Sequence, residues 1–163
     1  MEPIEYGIVK NMQAALQGIK QTAGYHHTVE ALAIKLDPNH KVEDLKPEDG
    51  RRPFVLADWS SPDALDSFEK PDRMLRNWPV TVHAIGDVDV ESDDARALKH
   101  FQLCADVETA VIAAWKAGTL GSTVQNVLLA SRELRLNEPE GREVWSIIGW
   151  VIQHRRELGV PNG

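Results

Sequence analysis

The sequence predicts an α+β fold in which a largely antiparallel sheet of about five strands packs against two main helices. Two observations lead to this prediction. Two segments repeat apolar residues every three or four positions, and the segments between and after them alternate or run apolar over strand lengths. Their order is helix, three strands, helix and a final hairpin. With 163 residues and no internal repeat or dividing linker, the chain is expected to form one domain over residues 1–163.

The first helix is predicted from Pro3 to about Gln21. A stripe of apolar residues with helical spacing runs along it: Ile4, Ile8, Met12, Leu16 and Ile19. Pro3 suits the first turn of a helix, where its missing N–H costs nothing. Gly24 follows the last apolar residue at the place of a C-terminal cap, so the helix is expected to end before it.

Three strands are predicted between the two helices. Thr28–Leu36 alternates apolar and polar positions, Pro53–Trp59 is a short apolar run, and Trp78–Val88 alternates again. The connection Ser60–Asn77 has no regular pattern, and one helical turn is expected near Asp63–Phe68. These three strands supply the first part of the predicted sheet.

A long charged loop is predicted at Asp37–Arg52. The segment contains two prolines and one glycine and shows no periodicity. Loops of about sixteen residues in compact domains are usually functional or mobile. We therefore expect this loop to be mobile in the free protein and to become ordered against a partner, with Asp44 and Glu48 among its contact residues.

The second helix is predicted to begin at Ser92 or Asp93 and to end near Ala117. Its apolar stripe is wide, above all in the second half, which indicates burial on more than one side. After a glycine-containing turn, Val124–Leu136 and Glu143–Arg156 are predicted as two strands. The short loop between them contains a glycine, which suits a hairpin.

Composition and charge disfavour several classes of function. The net charge of -7 argues against sequence-independent binding to nucleic acid, which needs clustered Lys and Arg. The single cysteine, Cys104, cannot form a disulfide within the chain, which suits a reducing cytoplasm. Its place in the stripe of the second helix predicts a small buried side chain. No apolar run approaches the length of a membrane span.

The adjacent histidines His26 and His27 are the first candidates for a metal or catalytic site. Neighbouring residues point to opposite sides of the backbone, so both rings do not easily reach one metal ion. A third ligand would have to come from histidines that lack a ligand-like spacing to this pair: His40, His83, His100 or His154. We therefore interpret the pair as the connection from the first helix to the first strand, with Tyr25 packed over the helix end.

The acidic turn Gly86–Asp94 is a second candidate, because acids stand at the first, third and fifth positions counted from Asp87, as in a calcium-binding loop. However, Ser92 occupies the position of the required glycine, and Leu98 occupies that of the required glutamate. The turn is interpreted as a solvated connection whose last acids favour the positive end of the second helix. Phosphate-binding and nucleophile motifs are absent from the sequence, and we predict no catalytic residue, cofactor or metal.

The last predicted strand is apolar on both faces over Val144–Ile152. One face carries Val144, Ile148, Trp150 and Ile152, and the other carries Trp145, Ile147 and Val151. An antiparallel strand in a small domain usually keeps one face in water, so something is expected to cover the second face. We expect one face to pack on Phe101, Ala105 and Ile112 of the second helix. The other face, or the hairpin edge, is expected to contact a neighbouring subunit, with Trp145, Ile147, Trp150 and Val151 as candidate interface residues.

Four segments, taken in order, resemble the tail terminator family of long-tailed bacteriophages, also called tail completion or minor tail protein U-like. The segments are "GYHHTV" (Gly24–Val29), "DVETAV" (Asp106–Val111), "GTLGSTV" (Gly118–Val124) and "EGREVWSIIGWVIQHRRELGVP" (Glu140–Pro161). The resemblance covers nearly the whole chain, and it depends on the order and spacing of the segments. In two places the sequence departs from the family: Ser122 replaces a second glycine, and His154-Arg155-Arg156 replaces a Tyr-Arg pair.

The resemblance implies a structural virion protein rather than an enzyme. Such a protein is expected to form a hexameric ring on the completed tail tube, stop its polymerisation and contact the head-completion or neck proteins. It would be made in the host cytoplasm and reside at the head-tail junction, where DNA only passes through the lumen. No cofactor and no membrane contact are implied. Acidic subunits fit this role, because a ring that lets DNA pass should not hold it.

Three alternatives remain open from the sequence. The protein could be another neck component, such as a head-completion protein or a tail-tube relative. It could be a small metal-dependent hydrolase that uses His26, His83 and an acid between Asp87 and Glu91. It could also be a regulatory binding module that acts on the host side.

Overall fold

The computed structural model describes residues 3–61, 65–70, 73–135 and 142–157, and it has two main helices on one face of a mixed sheet. The helices are α1 (Ile4–Gln17), α2 (Val42–Leu45) and α3 (Asp93–Lys116), with a 3-10 turn at Gln21–Ala23. The strands are β1 (Ala31–Lys35), β2 (Phe54–Asp58), β3 (Leu65–Lys70), β4 (Arg73–Asp87), β5 (Val124–Arg135) and β6 (Glu143–Glu157).

The sheet is built around the long central pair β4 and β6. The strand order is β1-β2-β4-β6-β5, and β3 pairs with β4 outside this path. Strands β4 and β6 pair antiparallel over 15 residues each, from Arg73 opposite Glu157 to Asp87 opposite Glu143. Only β1 and β2 are parallel among the described strand pairs. The predicted α+β class with a largely antiparallel sheet is confirmed.

The main core lies between the sheet and the two long helices. Helices α1 and α3 contribute the apolar residues that their spacing predicts, and the strands contribute every second residue of one face. Its members include Ile8, Met12 and Leu16 from α1, Leu103, Val107 and Val111 from α3, and Val80, Val82, Ile148, Trp150 and Ile152 from the strands. We call the side of the sheet that faces these helices the helix face and the opposite side the second face.

The prediction for Ser60–Asn77 is wrong where the structure describes the segment. Residues 65–70 form β3 rather than a helical turn, and β4 begins at Arg73 instead of Trp78. Residues 63 and 64 of the predicted turn lie outside the described ranges. The segment shows no apolar alternation because backbone pairing with β6 and β3, rather than burial on one face, defines the start of β4.

The helix boundaries follow their caps. Helix α3 begins where predicted, and the Ser92 hydroxyl accepts a hydrogen bond from the Ala95 N–H at 3.0 Å. Helix α1 ends at Gln17, four residues earlier than predicted, and the chain then makes the 3-10 turn. Gly24, with φ of 93°, closes that turn rather than α1. The first strand is also shorter than predicted, because regular pairing with β2 covers only Ala31–Lys35.

Two further expectations are corrected by the packing. Phe101 does not pack under the last strand: its side chain is 60% exposed, because α3 turns the Leu103 and Val107 side of the helix toward the sheet. The predicted loop Asp37–Arg52 contains the short helix α2, whose Val42 is buried. Within the described ranges, no helix is both long and apolar enough to span a membrane.

Candidate functional site

The two tryptophans of β6 that were predicted at an interface lie on opposite faces of the sheet. Trp150 is 2% exposed and belongs to the main core under the helices. Trp145, five positions earlier, is 0% exposed and belongs to a smaller cluster on the second face. Neither side chain is available to a neighbouring subunit in the single chain. The chain's own residues bury both side chains, and the predicted contact role of Trp145 and Trp150 stays a prediction.

The Trp145 end of the second face is covered by the loop that precedes β2. Its cluster contains Val42 of α2 together with Phe54, Leu56 and Ile85 from the adjacent strands. The Lys46 ammonium lies 4.7 Å from the centre of the Trp145 ring, and the Arg135 guanidinium lies 4.3 Å from it. Because cations favour the face of an indole ring, these two side chains complete the cover.

Ion pairs hold this loop to the sheet. Glu143, at the start of β6, has a side chain that is only 5% exposed. The Lys46 ammonium lies 3.0 Å from one carboxylate oxygen of Glu143, and the Arg52 guanidinium lies 3.6 Å from the other. A buried carboxylate with cationic partners resists separation from them. The expectation of a mobile Asp37–Arg52 loop is corrected for its second half, which is packed against the domain.

A groove of about 690 Å³ opens between α2 and the second face of the sheet. Polar and charged side chains from both walls line it: Lys35, Asp58, His83 and Arg135 from the sheet, and Lys41, Glu43 and Asp44 from α2 and its start. The Lys35 ammonium lies 3.3 Å from Asp58 and donates to the Ser60 hydroxyl at 2.7 Å. Burial alone would raise the pKa of Asp58, but hydrogen bonds from Ser60 and Lys35 together hold it below its usual value.

His83 has a fixed orientation in the floor of this groove. The Trp145 indole N–H donates to His83 Nδ1 at 2.9 Å, so Nδ1 accepts and the proton of the neutral ring is on Nε2. Burial lowers the pKa of His83 to about 4, so the ring is neutral at neutral pH. The groove therefore offers donors and acceptors from both walls, an arrangement that suits recognition of a polar or charged side chain.

Beyond the groove, the described residues leave part of the second face partly exposed. Leu128, Val151 and Pro79 stand side by side on β5, β6 and β4. On the same face, Thr81 lies two residues after Pro79, and Ile147 lies four residues before Val151. Leu128 is 43% exposed, and the other four are half-buried. We call these five residues the open patch. Of the predicted interface residues, Ile147 and Val151 belong to it.

The two predicted loop residues occupy different places. Asp44 is exposed and forms part of the groove wall, beside the face that carries Trp145. Glu48 is exposed and lies outside the lining of the groove. The structure thus brings Asp44, Ile147 and Val151 to the same side of the sheet, and it places Trp150 on the other side.

Sequence reasoning missed the partner of the histidine pair. Asp106 of α3, 4% exposed, accepts hydrogen bonds from the backbone N–H groups of His26 and His27 at 2.9 Å each. It also lies 3.0 Å from His27 Nδ1. Burial lowers the pKa of His27. The sequence did contain a signal, since Asp106 occupies a position where α3 faces the domain. A buried carboxylate at such a position needs hydrogen-bond donors close to it. The contact joins the segments "GYHHTV" and "DVETAV".

The residues of the hydrolase alternative are not brought together. His26 lies beside α3, on the helix side of the sheet, whereas His83 lies on the second face. Over the described ranges, no three His, Cys, Asp or Glu side chains are grouped so that they could hold a metal ion. The structure therefore offers no common site for His26 and His83.

A small polar cluster is sealed beneath α3. His100 Nδ1 lies 2.7 Å from the Ser146 hydroxyl, and the Cys104 sulfur lies 3.8 Å from the same nitrogen. Cys104 is 1% exposed, as its place in the helix stripe predicted, and burial raises its pKa to about 11. A thiol with so high a pKa is almost entirely protonated and therefore a poor nucleophile.

Comparison with known proteins finds a likeness among solved structures. No protein-family model matches the chain, and no curated protein matches it. Among solved structures, the chain is similar to a chain of the virion of native gene transfer agent (GTA) particle. That similarity has a TM-score of 0.46 at 12% sequence identity, and it covers 93% of each chain.

Proposed function

We propose that the protein is a structural component of a phage-like virion and that it acts there as the tail terminator. In this role, copies of the chain form a ring on the end of the tail tube, and the sequence resemblance implies that this ring is hexameric. The ring stops tube polymerisation and presents a surface to a head-completion or neck protein. The protein acts by binding and does not act as an enzyme.

The observation that carries this proposal is the open patch on the second face of the sheet. Its apolar row of Leu128, Val151 and Pro79 lies on three paired strands, so it is held rigidly. Uncovered apolar surface on a rigid element is typical of a protein–protein contact. A ring requires a contact between two different surfaces of the same chain, and the open patch supplies one of them.

The groove beside the open patch adds specificity to such a contact. Lys41, Asp44 and Arg135 lie at its walls. A polar side chain of a neighbouring subunit would therefore meet both positive and negative groups there. Charged groups at the margin of an interface favour one orientation and one partner more than they add affinity. The apolar patch and the charged groove together therefore suit a specific and reversible association.

The resemblance to tail terminators supports the finer assignment. Two of the segments that carry it, "GYHHTV" and "DVETAV", contact each other through Asp106 and the backbone of His26 and His27. These two segments thus have a common structural role, because together they hold the connection before β1 against α3. The net charge of -7 agrees with a ring through which DNA passes without being bound.

Tail length in particles made without the protein tests the proposal. Tails should grow to irregular lengths when the protein is absent, and the natural length should return when the protein is supplied. Val151→Glu should fail to restore the length, because it places a charge in the subunit contact. Thr109→Glu, at an exposed position of α3, is the matched control and should restore it. Tails of uniform, normal length in the absence of the protein would contradict the role of terminator.

A further inference from the structure

The first half of α3 and the turn before it expose large apolar side chains. Val90 is 63% exposed, Leu98 is 61% exposed and Phe101 is 60% exposed. Among the large apolar residues of the described chain, only Leu36, on the far side of the sheet order, is exposed to the same extent, at 60%. All three lie away from the open patch, because α3 packs on the helix face.

The three side chains form one surface. Val90 and Leu98 line the same cleft of about 320 Å³ between the acidic turn and α3. Phe101 follows Leu98 by three residues, so both project from the same side of the helix. We call Val90, Leu98 and Phe101 the α3 patch. An apolar surface of this kind beside a cleft can receive an apolar side chain of a partner.

The rim of the α3 patch is acidic. Asp87 and Asp89 line the cleft, and Glu91, Asp93 and Asp94 follow within the same turn and the start of α3. Arg96 lies 3.1 Å from Asp93 and compensates one of these charges. Lys99 also lines the cleft, and the end of its stem packs on Gly86, where a Cβ atom would lie 2.9 Å from Lys99 Cε. Acids therefore outnumber bases around the apolar centre.

We propose that the α3 patch binds a basic segment of another protein, with an apolar side chain in the cleft and Lys or Arg side chains against the acidic rim. Charge complementarity selects this partner. A second copy of this chain carries the same net charge of -7, so its approach to the acidic rim is disfavoured. The α3 patch is thus a contact for a different protein, separate from the contact between subunits on the second face.

The binding of a displayed peptide library tests this proposal. A library of random peptides is selected on the immobilised protein, with removal of peptides that also bind the Phe101→Ser variant. The enriched peptides are synthesised with a fluorescent label, and their affinities are measured by anisotropy. Leu128→Ser, which removes an exposed leucine from the open patch, is the matched control.

The expected peptides carry Lys or Arg around one or two apolar residues. Phe101→Ser and Leu98→Ser should weaken their binding by about 10-fold or more, as expected for an anchor residue, whereas Leu128→Ser should leave it unchanged. The double variant Asp89→Asn and Glu91→Gln should weaken binding and reduce its dependence on salt.

Several results would overturn the proposal. One is the enrichment of no peptide, or of peptides without basic residues. Another is equal binding to the protein and its Phe101→Ser variant. A third is loss of self-association by Phe101→Ser in sedimentation, which would assign the patch to contacts between copies. Unfolding of Phe101→Ser would make the residue part of the core and would equally refute a free docking surface. None of these results bears on whether the ring forms through the open patch.

Discussion

The two faces of the sheet differ in what covers them. On the helix face, α1 and α3 bury Val82, Trp150 and Ile152 to 2% exposure or less. On the second face, among the described residues, the loop before β2 covers the Trp145 end, and Leu128 of the open patch is 43% exposed. The same strand, β6, contributes to both. One set of its apolar residues completes the fold, and we propose that the other set takes part in assembly.

The two faces also differ in how they satisfy buried charge. On the helix face, Asp106 accepts hydrogen bonds mainly from backbone N–H groups, which the fold holds in place. On the second face, Glu143 lies beside the side chains of Lys46 and Arg52, and Asp58 is held by Lys35 and Ser60. Side-chain partners are more easily exchanged than backbone partners. The second face is accordingly the one that can be rearranged by a contact.

The largest expected effect separates two neighbouring residues of β6. Trp150→Glu should unfold the protein, because an unpaired buried charge costs several kcal/mol. Val151→Glu, on the opposite face, should change the free energy of unfolding by about 1 kcal/mol or less. Urea unfolding followed by circular dichroism measures both. Equal loss of stability in the two variants would mean that the two faces do not differ. Trp145→Glu should resemble Trp150→Glu, since Trp145 is also fully buried.

Removal of the loop should have the next largest effect. We expect deletion of Val42–Gly50 to lower the free energy of unfolding by about 3 kcal/mol, because it exposes Trp145 and removes the buried Val42. Tryptophan emission should shift to longer wavelength in the folded variant. Glu48→Ala, at an exposed position in the same loop, is the control and should change neither property.

The stability of the second face should depend on pH through His83. An unfolded chain binds a proton at this histidine below pH 6.5, whereas the folded chain does so only near pH 4. The folded state therefore loses stability as the pH falls from 6.5 to 4, and the contribution of His83 to this loss approaches about 3 kcal/mol. His83→Gln should flatten the decline in that interval. Identical pH profiles of the two proteins would refute this contribution.

The smallest expected effect concerns the sealed cluster beneath α3. Cys104→Ala should lower the free energy of unfolding by about 1 kcal/mol, because it removes one buried heavy atom and leaves a small cavity. In the parent protein, the thiol should resist alkylation at pH 8 and react only after urea is added. Rapid alkylation of the folded protein would show that the helix face is less closed than its burial indicates.

The sequence was informative where one local pattern determined one element. The serine cap and the helical spacing predicted α3. Apolar residues at both odd and even positions of Val144–Ile152 predicted that β6 is apolar on both faces. Patterns failed where long-range pairing decided the result. Strand β3 and the first residues of β4 form through backbone pairing with few apolar residues, and α2 is held by Glu143, about 100 residues away in the chain.

The candidate site was predicted in part for the same reason. Alternation places Ile147 and Val151 on one face, but it does not reveal that Lys46, Arg135 and α2 cover Trp145 on that face. Asp106 was also missed, because its main partners are backbone N–H groups, which almost every residue carries and which the sequence therefore does not distinguish. Which apolar residues remain exposed is a property of the assembled domain and not of any one segment.

Thiol labelling of the open patch in free and assembled protein tests the central claim most directly. Leu128→Cys is prepared in the Cys104→Ala background, with Thr109→Cys as a control at an exposed position of α3. If the open patch is the contact between subunits, Leu128→Cys should react readily in the free protein and be protected in purified particles. Thr109→Cys should react in both. Equal reactivity of Leu128→Cys in free protein and particles would contradict the assignment of this face to assembly.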